Sequence, residues 1–359
     1  MSRVFVIAEA GVNHNGSPDL ALALVEAAAR AGADAVKFQT FRAEAVISRS
    51  APKAQYQMRT TGATESQLEM VRKLELSRDA HRMLADRCKT LGIEFMSTPF
   101  DMDSARFLAD DLGVRILKIP SGEVTNGPLL LGIARLGKPS ILSTGMSTLE
   151  EVALALGVLA YGYLGESAPP GEAAFHNALT SERGRAILAD KVTLLHCTTE
   201  YPAPYDQVNL RAMDTIAAAF GLPVGLSDHT VGTAIAIAAA ARGAVAIEKH
   251  VTLDRSLPGP DHLASIEPDE LAAMVAAIRQ VEQALGSPLK QPVQAELANR
   301  IIARRSLVAA VPVRMGDAWT EASLACKRPG SGLSPMRYWE LLGKPAERDY
   351  LTDEPVLPE

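Results

Sequence analysis

Cysteine is scarce in this sequence, and this argues against a fold stabilised by disulfide bonds or by cysteine-bound zinc. The 359 residues contain three cysteines, Cys88, Cys197 and Cys326, an odd number with no two close in the chain. Neither a disulfide framework nor a cysteine-rich zinc site fits this pattern. We therefore expect a protein of a reducing compartment, the cytoplasm.

Excess positive charge and long apolar runs are also lacking. The formal net charge is −6, which argues against nucleic-acid binding as the main function but allows a local basic pocket for an anion. The most membrane-like stretch, AIAIAAAA at 234–241, is far too short to span a bilayer. The N-terminus, MSRVFVIAEAG, enters a strand pattern without the longer apolar core of a signal peptide. We expect neither nucleic acid nor a membrane as a partner.

The first 286 residues alternate short β-like runs with Ala/Leu-rich helical runs. Eight strands in alternation with eight helices imply a parallel sheet, and over this length the sheet closes into an α/β fold, the (β/α)8 TIM barrel. The predicted strands are 4–10, 35–40, 94–100, 116–122, 140–146, 192–199, 224–230 and 246–252.

The pattern changes after the barrel domain, 1–286. A Pro-punctuated linker is predicted over 287–298, and short strands with Gly/Pro turns over 299–359 predict a small β-rich domain. An insertion over 162–188 precedes strand six, so it belongs to the N-terminal face and indicates a structural or oligomeric role. The stretch 41–64 follows strand two and is expected at the barrel mouth, as a lid or partner contact.

Polar residues accumulate at the ends of the predicted strands. In a barrel these ends and the loops after them build the active site, and a buried parallel strand needs no polar residue for packing. Each residue alone is more simply explained as a snorkelling lysine or a capping hydroxyl, but the shared location favours a site for phosphate and carboxylate. The set comprises Lys37, Thr98, Lys118, Ser121, Ser143, Thr199 and Ser227.

Two histidines end consecutive strands, His229 in GLSDHT and His250 in AIEKH. A barrel brings the ends of neighbouring strands together. Two imidazoles with water and substrate oxygens suit Mn²⁺, Fe²⁺, Co²⁺ or Zn²⁺. Two hydrogen-bonded structural histidines are the alternative, and the pattern alone does not choose between them.

Two acids and an arginine complete the candidates. Glu9 ends strand one, where a carboxylate can act as base or acid, or can form a salt bridge to Lys37 or Lys118. Asp261, in PGPDH, could accept hydrogen bonds from sugar hydroxyls or hold a turn. Arg328, in KRPGSG, is on its own typical of a solvated charge.

Several motifs together resemble one known family. Over nearly the whole chain the sequence resembles the bacterial nonulosonic acid synthases, which include sialic acid synthases and legionaminic acid synthases. The tail resembles the antifreeze-like, or SAF, domain of these enzymes. The motifs are AEAGVNHNGS (8–17), DAVKFQT (34–40), STPFD (97–101), KIPSGE (118–123), LSTGMS (142–147), LHCTTEYPAP (195–204), GLSDHT (225–230), EKH (248–250), PGPDH (258–262) and KRPGSG (327–332).

The resemblance implies that phosphoenolpyruvate condenses with an N-acetylated amino-sugar to a nine-carbon α-keto acid and phosphate. N-Acetylmannosamine, the acceptor of an N-acetylneuraminate (sialic acid) synthase, is the expected sugar. The alternative is 2,4-diacetamido-2,4,6-trideoxymannose, which leads to N,N'-diacetyllegionaminate. Glu9, His229 and His250 resemble the catalytic residues, and the two histidines would hold a divalent metal. Mn²⁺ is expected, with Mg²⁺ or Co²⁺ as alternatives.

The resemblance also assigns the substrate contacts. The seven strand-end residues would hold phosphoenolpyruvate. Tyr201 and Asp261 resemble sugar-contacting residues. Arg328 resembles an arginine that the tail of a partner subunit offers to the N-acetyl group of the sugar, which implies a domain-swapped homodimer.

One departure from the family pattern leaves the acceptor sugar open. Thr199 stands where one branch of the family has asparagine, and the segment 162–188 is inserted.

Two other classes of function compete with this one. A Schiff-base aldolase would use Lys118 as nucleophile. A sugar- or ice-binding protein is suggested by the tail alone, but the polar ring at the strand ends argues against it.

Overall fold

Eight parallel strands form the core of the barrel unit, as the sequence predicts. In the computed structural model, which describes residues 3–55, 57–58 and 65–357, their hydrogen-bonded order is β3-β2-β1-β8-β7-β6-β5-β4. Contacts between β3 and β4 bring the two edges together, which confirms the predicted TIM-type barrel. The strands are β1 (Phe5–Gly11), β2 (Ala35–Thr40), β3 (Glu94–Pro99), β4 (Leu117–Ile119), β5 (Ser140–Ser143), β6 (Val192–Cys197), β7 (Val224–Asp228) and β8 (Ala246–His250).

Helices surround the strands, and several of them begin at polar caps. Ser17 Oγ accepts a hydrogen bond from Leu20 N, and Thr148 forms a capping box with Glu151. The helices of this unit are α1 (Pro18–Arg30), α2 (Ala43–Val46), α3 (Gln67–Arg72), α4 (Arg78–Leu91), α5 (Met102–Arg106), α6 (Gly127–Arg135), α7 (Leu149–Leu164), α8 (Glu172–Thr180), α9 (Glu182–Lys191), α10 (Ala212–Phe220), α11 (Ala234–Ala241) and α12 (Pro268–Leu285). Their apolar faces pack on the outside of the strands.

Several strands are shorter than the sequence pattern suggests. Pro120 follows β4, and since proline has no backbone N–H it cannot continue a ladder. The chain turns after β5, where Met146 has φ of 63°. His229, Thr199 and Ser121 consequently follow their strands instead of lying within them, and this leaves them at the barrel mouth.

The barrel interior is layered. One layer is a small apolar cluster. Two positions after each member of this cluster, the strand places another residue on the interior, in the next layer. Because strand side chains alternate between faces, a spacing of two keeps both residues on the inside. Gly225 provides the close approach this packing needs, since a Cβ there would lie 2.2 Å from Ala246 O. The apolar layer comprises Ile7, Ala35, Met96, Ile141, Leu195 and Ala246.

The two inserted segments differ in position. The predicted insertion forms α8 and α9, which pack on α7, with the rings of Tyr161 and Phe175 5.3 Å apart. It precedes β6 and so belongs to the N-terminal face, and an oligomeric role stays a prediction. The segment after β2 carries α2 and α3 at the mouth, while 56 and 59–64 of the predicted lid lie outside the described residues.

Ser287–Glu359 form a second compact unit. The predicted linker, 287–298, overlaps helix α13 (Gln294–Ala303). The antiparallel strands β9 (Ser306–Ala309) and β10 (Leu324–Lys327) pair, and a short helix α14 (Tyr338–Leu341) follows. An apolar cluster around Leu307, Trp319 and Tyr350 is the core of this unit. Among the described residues of the whole chain, no helix has both the length and the apolar character to cross a bilayer.

Candidate active site

Four charged side chains, Glu9, Lys37, Lys118 and Glu248, form a charged floor in the barrel. Lys37 Nζ lies 2.6 Å from Glu9 Oε2 and 3.6 Å from Glu248 Oε2, and Lys118 Nζ lies 3.4 Å from Glu248 Oε1. Strand register explains the first pair, since Glu9 lies opposite Lys37 across β1 and β2. All four are at most 4% exposed. The salt bridge considered as an alternative role for Glu9 is therefore formed, inside a cluster that also holds a second ammonium group.

Burial and mutual charge give the two acids different pKa values. Burial would raise the pKa of Glu248, but Lys118 and Lys37 outweigh it and lower that pKa to about 2. Burial raises the pKa of Glu9 to about 7; Lys37 opposes this shift and Glu248 adds to it. Near neutral pH, Glu248 is thus a fixed carboxylate, whereas Glu9 can exchange a proton.

The two lysines also differ. Burial lowers the pKa of Lys37, but Glu248 and Glu9 more than compensate and raise it. Burial lowers the pKa of Lys118, although Glu248 opposes the shift. Lys37 is therefore held as an ammonium, the form that binds an anion, while Lys118 is the more easily deprotonated of the two.

Hydroxyl groups surround the floor. Lys37 Nζ donates a hydrogen bond to Thr98 Oγ1 at 3.0 Å, and Lys118 Nζ donates to Ser143 Oγ at 2.8 Å. Ser121 Oγ accepts from Gly145 N at 2.9 Å, whereas the buried Thr199 Oγ1 has no hydrogen-bond partner among the described residues. Ser227 Oγ donates to Glu248 Oε1 at 2.9 Å. The structure brings all seven predicted anion-binding residues around one cavity of 280 Å³.

The two histidines line the same cavity, with ring centroids 5.3 Å apart. His229 Nδ1 lies 2.7 Å from Thr198 O, and because a carbonyl only accepts, Nδ1 carries the hydrogen. Burial lowers the pKa of His229, but the neighbouring Cys197 outweighs burial and raises that pKa, so Nε2 has a lone pair for a ligand once it gives up its proton. Burial lowers the pKa of His250 well below its usual value. The buried His250 Nδ1 has no hydrogen-bond partner in the described part of the chain. Both rings therefore have a nitrogen that could bind a ligand.

Tyr201 and Asp261 border the histidines. The ring centroid of Tyr201 lies 4.1 Å from that of His229 and 5.5 Å from that of His250. Asp261 Oδ2 lies 4.0 Å from His250 Nδ1, and burial raises the pKa of Asp261 to about 6. Ser265 Oγ donates to Asp261 O, so this segment is also held as a turn. Both side chains line the cavity, and their contact with a sugar stays a prediction.

The residues present fit a divalent metal held by two imidazoles. His250 Nδ1 has no hydrogen-bond partner among the residues that the structure describes and lies 4.0 Å from Asp261 Oδ2. The Thr198 carbonyl orients the ring of His229 as an outer partner orients a metal-binding imidazole. No group of three His, Cys, Asp or Glu side chains is arranged to hold a metal among residues 3–55, 57–58 and 65–357. Such an ion would therefore complete its coordination with water or substrate, as catalytic sites do.

Two residues of this site, Glu248 and Cys197, are not among those predicted from the sequence. Glu248 joins both lysines, and Cys197 Sγ lies 3.8 Å from His229 Nδ1. Each was detectable from the strand period. Glu248 precedes His250 by two residues, and Cys197 follows the interior residue Leu195 by two.

A buried ion pair lies behind the histidines. Lys249 Nζ lies 2.8 Å from Asp228 Oδ2 and donates to Thr230 O at 2.5 Å. Asp228 Oδ1 accepts from the amide of Thr230 at 2.9 Å and from its hydroxyl at 2.8 Å. Both charged side chains are 0% exposed. This cluster joins β7 to β8, the two strands that end at the histidines.

Arg328 belongs to the second unit. It is exposed and directly follows β10. Its predicted role at the site of a partner subunit stays a prediction.

Comparisons with known proteins find two family models and several similar proteins. The NeuB family matches residues 24–290, and the SAF domain matches residues 304–359. N,N'-diacetyllegionaminic acid synthase of Campylobacter jejuni is 48% identical, with 99% of each chain covered. The protein of the same name from Legionella pneumophila is 45% identical over 94% of this chain and 89% of that relative. The structure of an N-acetylneuraminic acid (sialic acid) synthetase from Leptospira borgpetersenii, 32% identical, covers 83% of this chain and 90% of its own, with a TM-score of 0.68.

Proposed function

The chain belongs to the NeuB family, and on that premise we propose that it condenses phosphoenolpyruvate with 2,4-diacetamido-2,4,6-trideoxymannose to N,N'-diacetyllegionaminate and phosphate. The class, a phosphoenolpyruvate-dependent nonulosonic acid synthase, follows from the family and from relatives that are synthases. From the sequence alone, N-acetylmannosamine is the expected acceptor. Two relatives at 48% and 45% identity, both legionaminic acid synthases, favour the diacetamido sugar instead. This observation carries the proposal.

Phosphoenolpyruvate binds, in this proposal, above the charged floor. Its phosphate and carboxylate need cations and hydrogen-bond donors, which Lys37, Lys118 and the surrounding hydroxyls offer. Glu248 holds the two ammonium groups in place through contacts of 3.6 and 3.4 Å. The low pKa of Glu248 keeps it ionised, so this arrangement persists across the neutral range.

His229 and His250 would hold the divalent metal. When bound, the metal supplies Lewis-acid polarisation of the acceptor's aldehyde. The burial of His250 keeps its ring neutral, as a metal ligand must be. Thr198 and the ring of Tyr201 orient His229.

The bond changes follow from this placement. C3 of phosphoenolpyruvate attacks C1 of the open-chain sugar, and water adds to the cation left at C2. The tetrahedral intermediate then loses phosphate by C–O cleavage, its C2 hydroxyl proton passes to the departing phosphate, and the α-keto acid remains. Glu9 takes the proton released by the water and returns it to the former aldehyde oxygen, because a pKa of about 7 suits both transfers near neutral pH.

The test is phosphate release from phosphoenolpyruvate with a small panel of acceptors, with and without Mn²⁺. We expect release with 2,4-diacetamido-2,4,6-trideoxymannose, a smaller kcat/KM with N-acetylmannosamine, and little release in the absence of a divalent metal. The Glu9→Gln variant is the control for chemistry at this site. A larger kcat/KM with N-acetylmannosamine would overturn the assigned acceptor and return the sialic acid synthase to first place.

One observation favours the competing aldolase. The lowered pKa of Lys118 is what a Schiff-base nucleophile requires. Borohydride trapping with pyruvate separates the two mechanisms, because only the aldolase forms a covalent adduct. We expect no adduct, since Lys118 donates to Ser143 and contacts Glu248 as an anion-binding group would.

A further inference from the structure

An apolar surface lines part of the cavity mouth, whereas the floor of the cavity is charged. We call it the mouth wall, and it consists of Phe41, Val46, Ile47, Met70, Val71 and Leu74. All six belong to the segment between β2 and α4, which begins where Phe41 follows the last residue of β2. Neither the strand ends nor the chemistry assigned above accounts for six apolar side chains at the mouth of a site for two polar substrates.

The mouth wall is a formed surface. Met70 is 4% exposed and Leu74 is 9% exposed, and the other four are partly buried. Two contacts hold α2 against α3 and the residues that follow α3. Arg72 Nη2 lies 2.6 Å from Glu44 Oε1, and Ala43 N donates to Glu75 Oε1 at 2.5 Å. The ring of Phe100, which follows β3, meets Phe41 edge-on with centroids 6.0 Å apart.

The direction of the reaction places the far end of the acceptor near this wall. The aldehyde carbon has to meet phosphoenolpyruvate at the level of the floor and the two histidines. The remaining carbons then extend outward, toward the mouth. Among the described residues that line the cavity, the only Lys or Arg side chains are Lys37 and Lys118 of the floor. The segment that carries the mouth wall therefore offers the end of the sugar apolar surface and two amides, Gln57 and Gln67.

We propose that the mouth wall receives the C6 methyl group of a 6-deoxy acceptor and discriminates against a C6 hydroxyl. This inference rests on the proposed function and names the part of the site that selects the sugar. A hydroxyl pressed against apolar side chains loses its hydrogen bonds to water without replacement, whereas a methyl group is buried favourably. An apolar pocket discriminates in this way by about 10–100-fold in kcat/KM.

The test uses two acceptors that differ at a single atom, 2,4-diacetamido-2,4,6-trideoxymannose and its 6-hydroxy counterpart. The measured quantity is the ratio of their kcat/KM values in the wild-type chain and in the variants Val46→Thr and Val71→Thr. Each variant adds one hydroxyl to the wall with little change of shape. The matched control is Val245→Thr, which changes a partly buried valine just before β8, at the N-terminal end of the barrel.

We expect the wild type to prefer the 6-deoxy sugar by about 10–100-fold, and each wall variant to lower the ratio about tenfold. The ratio for Val245→Thr should equal that of the wild type. Because the ratio is taken within one protein, a general loss of activity or folding cancels from it. Equal use of both sugars by the wild type, or an unchanged ratio in both wall variants, overturns the mouth wall as the selective surface and leaves the proposed function standing. Failure of the wild type to use the trideoxy sugar overturns the proposed function itself.

Discussion

The Asp228–Lys249 pair gives the sharpest prediction for stability, because it is the ion pair with both side chains 0% exposed among those described. Replacing Lys249 by Met removes the ammonium group and leaves Asp228 Oδ2 buried without its 2.8 Å partner. Oδ1 keeps its two donors from Thr230. Removing one partner of a buried pair costs about 3–5 kcal/mol, since the remaining charge can reach neither water nor a counter-charge.

The matched control is Lys73→Met. Lys73 pairs with Glu65 at 2.5 Å, but its side chain is 71% exposed, so water replaces the lost partner. Exposed pairs contribute about 0–1 kcal/mol. The double variant Asp228→Asn/Lys249→Met should recover most of the lost stability, because the amide is neutral and its oxygen can still accept from Thr230 N.

Urea unfolding followed by far-UV circular dichroism measures these differences. Tryptophan fluorescence is unsuitable, because both tryptophans, Trp319 and Trp339, belong to the second unit. A midpoint for Lys249→Met as close to wild type as that of Lys73→Met would refute the reasoning. So would a double variant no more stable than Lys249→Met.

Three further predictions concern activity. For Glu9→Gln we expect phosphoenolpyruvate binding close to wild type and a large loss of kcat. In the wild type, kcat/KM should fall as the pH drops through about 7, because protonation of Glu9 removes the base. The Glu9→Gln variant should lack that inflection in its pH profile. For His229→Ala we expect loss of Mn²⁺ binding in calorimetry with the metal alone, whereas His176→Ala, an exposed control on α8, should bind like wild type. For Arg328, we propose that it completes the site of a partner subunit in a domain-swapped dimer, so that mixing inactive His229→Ala with inactive Arg328→Ala under subunit exchange restores activity.

Each activity prediction has an outcome that contradicts it. An unshifted pH profile in Glu9→Gln removes Glu9 from proton transfer. Wild-type Mn²⁺ affinity in His229→Ala refutes the two-histidine metal site. In a mixed dimer with sharing between subunits, one site inherits both defects and the other neither; verified exchange without recovered activity would therefore exclude the swapped arrangement.

Much of this protein was accessible from local sequence patterns. The alternation of strands and helices predicts the barrel, because the period of side chains along a strand or helix is a property of the local backbone. The strand pattern also placed Lys37, Thr98, Ser143 and Ser227 at strand ends, and in the structure they line one cavity. The chemistry of each strand end, such as the histidine of AIEKH, is visible without any knowledge of its neighbours.

Tertiary structure decided what those residues do to one another. Glu9 and Glu248 are both acids near strand ends, yet one has a pKa of about 7 and the other of about 2. The difference depends on which lysines lie within 4 Å, and β1 reaches β8 only when the barrel closes around some 240 intervening residues. Likewise, the apolar residues of 41–74 have no recognisable period, and only the folded chain shows that they share one side of the mouth. Coulomb energies and desolvation depend on distance and burial in space, and neither is encoded in the spacing of residues along the chain.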